Sequence, residues 1–430
     1  MNSFPNDSFD VVVCGSGPAG LSAALASVES GTRTILLERL PMLGSKLLVT
    51  GGGRCNLTNI LDESEFMAAF GRNGRFMTDA LRTGGKEFLR SFLKSQGIDI
   101  YLADGFHYFP STDSAQSVRD AFLNEAKKRG LEVKNSSCVK SLRIREGVLE
   151  AVLTEETEYR CRKFILASGG TAMPVFGGSA CGLKLAEEAG HRIVPPLPAM
   201  APIPVDESWI EGLAGVSLPD VRLSFTAGRR HGSCRGELLF THEGLSGPAA
   251  LSLAGPLGRA WTERKEDFRL TLVPTADADR KTWCEWIDLA RKNEPEKLFR
   301  SVPGAVMPRS LAARLTSLAG LDGLRNRELK NADRDRAASL FSEIPLRVTR
   351  LSSMDRAMAM SGGVALSEVD PKTMESKLVK GLFFAGEVLD LTGPCGGFNV
   401  QFAIASGRLA GKNHTGHSAR KTIRKSTEHG

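Results

Sequence analysis

Two glycine-bearing stretches near the N-terminus of this 430-residue chain carry residue types suited to hold a pyrophosphate and to lie flat against a ring. In the first, Gly15-Ser16-Gly17-Pro18-Ala19-Gly20 follows the apolar run Phe9–Cys14 and precedes a run of small residues from Leu21 to about Ser30. Gly15 permits a tight turn, Gly17 admits a phosphate against the backbone, and Gly20 lets the helix pack on the strand. The helix start offers free N–H groups and a positive dipole end to the phosphates. Glu38 lies 18 residues beyond Gly20, at the end of the apolar run Arg33–Leu37. A carboxylate there accepts hydrogen bonds from ribose hydroxyls and repels a 2′-phosphate. The second stretch, Gly51-Gly52-Gly53-Arg54-Cys55-Asn56, removes side chains at a cost in entropy, as close approach of backbone to a flat ring demands.

Two further segments bear on which dinucleotide is held. Phe164–Gly170 is an apolar run that passes into small residues. Gly381–Gly407 holds a short strand ending at Gly386-Glu387, then Gly396-Gly397 opening an apolar helix from Phe398 to about Ser406. That helix start could present N–H donors to the N1–C2=O edge of a flavin, where charge develops on reduction. A cofactor touched near residue 15 and again near residue 399 is longer than an adenosine, which favours FAD, and it implies a discontinuous domain.

The motifs GSGPAG with Glu38, KLLVTGGGRCNLTN (46–59), GELLFTHEGLSGP (236–248), SGGV (361–364), DPKTMESKLVKGLFFAGEVLD (370–390) and GPCGGFNVQFAIASG (393–407) occur in this order. Together they resemble the bacterial FAD-dependent flavoproteins described as aminoacetone oxidase-like, a family that includes bile-acid-type enone reductases. The resemblance implies an α/β fold: a discontinuous Rossmann-type FAD-binding domain with an inserted β-rich domain and a small helical cap. Cys395 and Phe398 stand where that family usually has Thr and Tyr.

The cofactor-binding set expected from these readings assigns Gly15, Gly17, Pro18, Ala19 and Gly20 to the pyrophosphate and Glu38 to the ribose. Arg54 and Asn56 are assigned to the flavin side of the glycine loop, and Gly386, Glu387 and Asp390 to the ribityl or diphosphate region. Gly397, Phe398, Asn399 and Val400 are placed near the ring, and Val139 near adenine by analogy with the fold. Arg39, Lys46, Gly53 and Gly169 complete the set. In Phe240–Leu251, His242 and Glu243 are candidate proton donors or acceptors beside a substrate.

The elements that must position these residues follow from periodicity. Residues 1–194 and 356–411 read as the two parts of the FAD-binding domain. PPLPAMAPIP (195–204), with five prolines in ten residues, reads as a stiff extended connector into an inserted β-rich domain, 195–275. Val221–Phe225 and Phe268–Leu272 alternate apolar and polar as half-buried strands do, and Gly236–Phe240 reads as a third, short strand. Residues 276–343 turn to helical patterns, with Pro308 and Asn331 near helix starts, and form the cap. Residues 344–355 return a strand to the inserted domain, and 412–430 form a basic tail.

Composition narrows the function classes. Eight cysteines show no CxxC pair and no zinc-ligand spacing, and seven histidines do not cluster, so no metal is expected and dithiol chemistry is disfavoured. There is no second strand–GxGxxG–helix unit for a resident nicotinamide nucleotide. Of the net +7, the tail carries +4 (Lys412, Arg420, Lys421, Arg424 and Lys425 against Glu428). The remaining +3 is too little for a broad phosphate track, which argues against a nucleic-acid partner. No apolar run is long enough to span a bilayer and no signal peptide is evident, so a cytoplasmic location is expected.

The expected activity is that of an FAD-dependent oxidoreductase. It exchanges a hydride between the flavin and a small organic substrate, with transient NADH or NADPH, or O2, as the other partner. A flavin-dependent RNA-modification factor and a non-catalytic redox-responsive flavoprotein are the alternatives. The sequence carries no sign of the number of subunits.

Overall fold

The structure, a computed structural model, describes residues 6–264 and 268–412. Most of the predicted basic tail therefore lies outside the described residues. Strands Asn6–Cys14, Thr34–Leu37, Glu132–Lys134, Glu158–Leu166 and Leu382–Phe384 form a parallel sheet. Asn6–Cys14 lies at its centre, in register with Thr34–Leu37 on one side (Val12 opposite Ile35) and with Glu158–Leu166 on the other (Val12 opposite Phe164). Val12, Val13, Leu36, Phe164 and Ile165 are all buried, the pattern of strands covered on both faces. Glu158–Leu166 uses its second edge twice: its start pairs antiparallel with Val148–Leu153, and its end pairs parallel with Leu382–Phe384. That late pairing carries the C-terminal segment back to the N-terminal strand.

The first helix, Pro18–Glu29, and the last, Phe398–Lys412, pack through small residues. A Cβ on Gly407 would lie 2.0 Å from the Ala19 carbonyl oxygen, and one on Gly411 would lie 2.4 Å from that of Ala23. Ser22 donates a hydrogen bond to the Ile404 carbonyl at 2.8 Å across the same contact. Residues 58–110, a segment distinct from the helical cap expected at 276–343, build a cap of their own over this pair. Its short sheet, Thr58–Asn59, Ile100–Leu102 and His107–Pro110, sits beside helices Glu63–Ala68 and Lys86–Ser95. Phe66 and Phe70 pack on Phe398 with ring centroids 4.9 and 6.0 Å away.

The inserted region forms a six-stranded antiparallel sheet ordered Ile203–Pro204, Gly244–Ser246, Arg230–Thr241, Ser217–Ala227, Phe268–Val273 and Ile344–Val348. The strand read as Gly236–Phe240 is longer, because its polar N-terminal half is an exposed hairpin arm that breaks the alternation signal. Helices Arg280–Asn293, Arg309–Leu318 and Asn331–Ser342 pack near buried Trp283, Phe299 and Phe341. The proline-rich connector is also more ordered than its composition suggests. Ile193–Ala199 pairs antiparallel with Ala359–Val364, and the register shifts between Val194 and Leu197, where Pro195 and Pro196 have no N–H to give. The two crossings between the halves of the molecule thus run side by side.

His191 joins the helix Cys181–Glu188 to the strand region behind the sheet. Its Nε2 is 2.8 Å from Ser376 Oγ, its ring meets Phe384 edge-on at 4.7 Å, and Nδ1 is 3.3 Å from Glu368. Burial lowers its pKa, and the Glu368 carboxylate opposes that only in part. Between the lowered folded value and about 6.5, the unfolded chain binds more protons than the folded one. Stability should therefore fall as pH drops below about 6.5. Between pH 7 and 5 the thermal midpoint of the parent protein should fall more steeply than that of a His191→Asn variant.

Candidate functional site

The turn after Cys14 opens a cleft of about 580 Å³ that runs between the sheet, the glycine loop and the start of the last helix. Gly15 (φ +100°) makes the tight turn, and a Cβ there would strike the Ala167 carbonyl oxygen at 2.5 Å. A Cβ on Gly17 would meet no protein atom within 4 Å, so its bareness spares cleft space rather than a neighbour. Pro18 and Ala19 line the same wall, at the start of the first helix. Gly20 does not line the cleft and is bare for helix packing instead. Glu38 accepts hydrogen bonds from Ser16 N (2.8 Å), Ser16 Oγ (2.6 Å) and Leu40 N (2.8 Å). Three of about four acceptor sites on the carboxylate are used, leaving one on Oε1. Arg39 and Val139 share this end of the cleft.

Farther along, Lys46 pairs with Glu387 at 2.5 Å, and Glu387 also accepts from Met360 N at 2.7 Å. Gly169 (φ +72°) lies opposite, with its Cβ position 3.8 Å from Glu387 Oε2. In the glycine loop, Gly51 and Gly52 line the cleft, and all three glycines and Cys55 have positive φ (57°, 67°, 90° and 66°). The bare run therefore serves a left-handed backbone as well as the cleft. Asn56 lines the cleft, and its Oδ1 is buried without a partner. At the far end stand Gly397, Asn399 and Val400. The first intrahelical bond of the last helix runs from Gln401 N to Gly397 O, so the N–H groups of Phe398, Asn399 and Val400 have no acceptor within the helix. Asn399 Oδ1 accepts from Gly393 N at 2.8 Å and so fixes the loop that precedes this helix.

The structure brings most of the expected residues to one cleft but sets others apart. Gly53 and Arg54 are not on its wall. Arg54 instead bonds Asp113 (3.0 Å) and Tyr101 (2.7 Å) above the Phe109 ring. Phe398 is turned into the cap's aromatic cluster. Gly386 is bare against Ala19, 2.8 Å from a Cβ there, and its N–H donates to Ser406. Asp390 binds Gly362 N at 3.1 Å away from the cleft wall, and burial raises its pKa against the pull of Arg259. His242 and Glu243 form the exposed tip of a hairpin, outside the cleft, where Glu243 pairs with Arg356 at 2.6 Å. The polar character of the segment reflects that tip. Cys395 does line the cleft, and burial raises its thiol pKa. Cys55 is buried, pushed up to about 12 by desolvation, and is not disulfide-bonded.

Other cleft residues escaped the sequence reading. Met173, Phe176, Met200, Leu251 and Met358 also line the cleft and add apolar surface to its wall. Leu251 comes from the inserted region's helix Gly247–Arg264, whose Ser252 Oγ also accepts from Cys395 N at 3.2 Å. Isolated methionines in loops carry no periodicity, so only the fold collects them. Cys14, Cys138 and Cys181, far apart in sequence, converge on the nucleotide end of the same cleft.

A family model of the HI0933-like protein Rossmann domain matches residues 9–413. The chain belongs to the HI0933-like family. The ribosomal RNA dihydrouridine synthase of Escherichia coli (strain K12) is 30% identical over 418 residues, covering 93% of this chain and 96% of that protein. The 3-dehydro-bile acid delta(4,6)-reductase of Clostridium scindens is 28% identical over 408 residues, 93% of this chain and 97% of that one. Among solved structures, the 3-ketosteroid delta1-dehydrogenase from Sterolibacterium denitrificans superposes with a TM-score of 0.52 at 11% identity, covering 94% of this chain and 99% of that one. That superposition reflects a shared fold.

This HI0933-like protein is an FAD-dependent oxidoreductase. Its own cleft fits the cofactor: the cleft is left open beside Gly17, one acceptor site is open on Glu38, and the Asn56 side-chain carbonyl is orphaned. Among the described residues, no helix is long and apolar enough to cross a membrane, and no group of His, Cys, Asp and Glu could hold a metal ion.

Proposed function

We propose that this flavoenzyme reduces a carbon–carbon double bond conjugated to a carbonyl in a small, largely apolar molecule, with NADH or NADPH as the source of electrons. The observation that carries the reading is the apolar wall of Met200, Leu251 and Met358 in the cleft shared with the free N–H groups of the last helix. Such a wall stabilises a hydrocarbon skeleton by about 25 cal/mol for each Å² of apolar surface it covers. The named activities of the two relatives, dihydrouridine synthesis and delta(4,6) reduction, share the saturation of a conjugated double bond.

Bound FAD would supply the hydride. Glu38, Ser16 and the first helix would hold its adenosine and pyrophosphate end, and Asn56 with the last helix start would orient its polar ring edge. The pair Lys46–Glu387 would fix the wall between them. Covering apolar residues from the inserted region would exclude water and strengthen each polar contact within.

A second reading, uridine within RNA as substrate, is favoured by the 30% identity to the rRNA enzyme. One anaerobic experiment separates the two. NADH or NADPH should bleach the holoenzyme, and 2-cyclohexen-1-one should restore the yellow colour while gaining two mass units. Recovery only with an unmodified rRNA transcript, with dihydrouridine formed, would move the assignment to RNA. Bleaching by neither nucleotide would remove the NAD(P)H step.

A further inference from the structure

We propose that the seam between the cap and the inserted region's long helix holds a carboxylate, gripped by Arg259 and Arg72, and that this carboxylate is the tail of a substrate whose apolar body lies in the cleft. The proposal rests on the reading above for the cleft's occupant and adds the class of molecule, an amphiphilic acid. Three segments meet at the seam. The loop 390–396 runs between the other two. A Cβ on its Gly393 would lie 2.6 Å from Phe70 Cζ of the cap, and its Cys395 N donates to Ser252 Oγ of the helix Gly247–Arg264 at 3.2 Å. Cys395 lines the cleft, so the seam starts at the cleft wall.

The helix sorts two kinds of surface. Leu253, Leu257 and Ala260 are buried on one side. Ser252, Pro256, Arg259 and Glu263 recur at the spacing of one helical face, and all four keep some exposure. That face sets Ser252 against the cleft loop and Arg259 two turns farther on, about 10 Å along the axis. Leu251, next to Ser252 in the chain, lines the cleft. One helix thus gives an apolar contact to the cleft and a cation beyond it. Arg72, exposed, follows Phe70 by two residues on the facing cap.

Among the described residues, no side chain forms an ion pair or hydrogen bond with Arg259 or Arg72. Burial lowers the pKa of Arg259; Asp390 opposes this, while Arg230 and Arg72 add to it. The field of Arg72 also reaches Glu263 and Asp390, which places its guanidinium at the same seam. Neither neighbouring carboxylate closes a pair with Arg259. Asp390 accepts from Gly362 N at 3.1 Å, and Glu263 is taken by Arg230 at 2.6 Å. Two guanidiniums, one partly withdrawn from water, therefore repel each other with no anion to share.

A charge withdrawn from water is costly until it is paired. A carboxylate between the two arginines would accept from both forks of donors and remove the repulsion. The nearby carboxylates of Asp390 and Glu263 disfavour a ligand of many negative charges, such as a nucleic-acid backbone. An acid with a hydrocarbon body satisfies both ends: Met200, Leu251 and Met358 cover the body, and the arginines hold the tail.

The test uses FAD-loaded parent, Arg259→Gln, Arg72→Gln and Arg72→Glu proteins. Calorimetry reads the dissociation constants of straight-chain alkanoates of increasing length and of the matching alcohols, so the anion is tested without any double bond. In the parent, short chains should show no difference. Chains that span from the apolar wall to the seam should bind about ten-fold or more tighter as the acid, the scale of a hydrogen bond to a charged group. Each glutamine variant should bring that ratio close to one, and Arg72→Glu should favour the alcohol. Arg72 is exposed, so its variants keep the test open should Arg259→Gln fail to fold. No binding of any alkanoate, equal binding of acid and alcohol at every length in the parent, or a parental ratio in any variant would overturn the proposal. An unmodified rRNA fragment that the parent holds in preference to the acids, and that the same substitutions release, would overturn it too and pass the site to a phosphodiester. A parent that prefers the long acids yet never reduces a 2-cyclohexen-1-one bearing a carboxyalkyl chain would refute the conjugated-ketone reading and leave the carboxylate site standing.

Discussion

A Glu38→Ala protein is expected to fold and yet leave purification nearly colourless. The carboxylate has one acceptor site open to a ribose hydroxyl, and a second opens if the Ser16 hydroxyl turns away. A hydrogen bond to a charged acceptor contributes about 1.5–3 kcal/mol, so losing one or two should weaken FAD binding about a hundred-fold or more. The same substitution leaves the amides of Ser16 and Leu40, now held at 2.8 Å, without their acceptor. Those amides lie in the partly buried turn at the cleft edge, where water can replace the carboxylate, so the thermal midpoint of the apoprotein should move little. Glu38→Gln keeps an acceptor oxygen and should recover part of the binding. The flavin-to-protein absorbance ratio after gel filtration, and the dissociation constant from quenching of flavin fluorescence, report the result. Full flavin content in the alanine variant would place the ribose elsewhere.

The sites that were legible in the sequence share one property: chemistry compressed into a short span. Gly15 to Gly20 with Glu38 could be read because strand, turn, helix and second strand follow one another without interruption, and each glycine has a separate steric reason. Gly397, Asn399 and Val400 were legible because a glycine pair opening an apolar helix has few uses. Arg54 shows where that logic stops. Its neighbours Gly52 and Asn56 line the cleft, but the left-handed turn at Gly53 and Cys55 carries the guanidinium to Asp113 and Tyr101. Side-chain direction in a loop of positive φ cannot be deduced from composition. Phe398 was displaced by a different force: two aromatic rings of the cap, Phe66 and Phe70, offered it a dry cluster, and burial there outweighs a place on the cleft wall. The apolar wall was invisible because Met200, Leu251 and Met358 come from separate segments that no local periodicity links, and only the fold brings them to one cleft.

Gly407→Val should be the most damaging single substitution in the nucleotide-binding half. The first and last helices approach so closely that the Cβ of any residue at 407 would sit 2.0 Å from the Ala19 carbonyl oxygen, 2.8 Å from its carbon and 3.0 Å from its Cα. These are backbone atoms, so no rotamer change relieves the overlap. Ala19 cannot retreat, because a Cβ on Gly20 would already lie 1.8 Å from the Gly15 carbonyl and Gly386 packs on Ala19 from another side. The last helix would have to move away as a unit. That would break the Ser22–Ile404 hydrogen bond and pull apart the phosphate-binding turn and the Gly397 helix start, which open on the same cleft. Overpacking a core costs about 1–3 kcal/mol when side chains can adjust. Here backbone meets backbone, and a cost beyond about 4 kcal/mol is expected, a large share of the roughly 5–15 kcal/mol that holds a domain folded. The variant should accumulate in the insoluble fraction, and any soluble protein should bind FAD poorly and melt far below the parent. Gly407→Ala, with the same Cβ but no γ-carbons, should show most of the loss, because the contact is made by the first side-chain atom. An alanine variant with parental midpoint and flavin content would mean that the two helices can slide apart freely, and that their spacing does not set the geometry of the cleft.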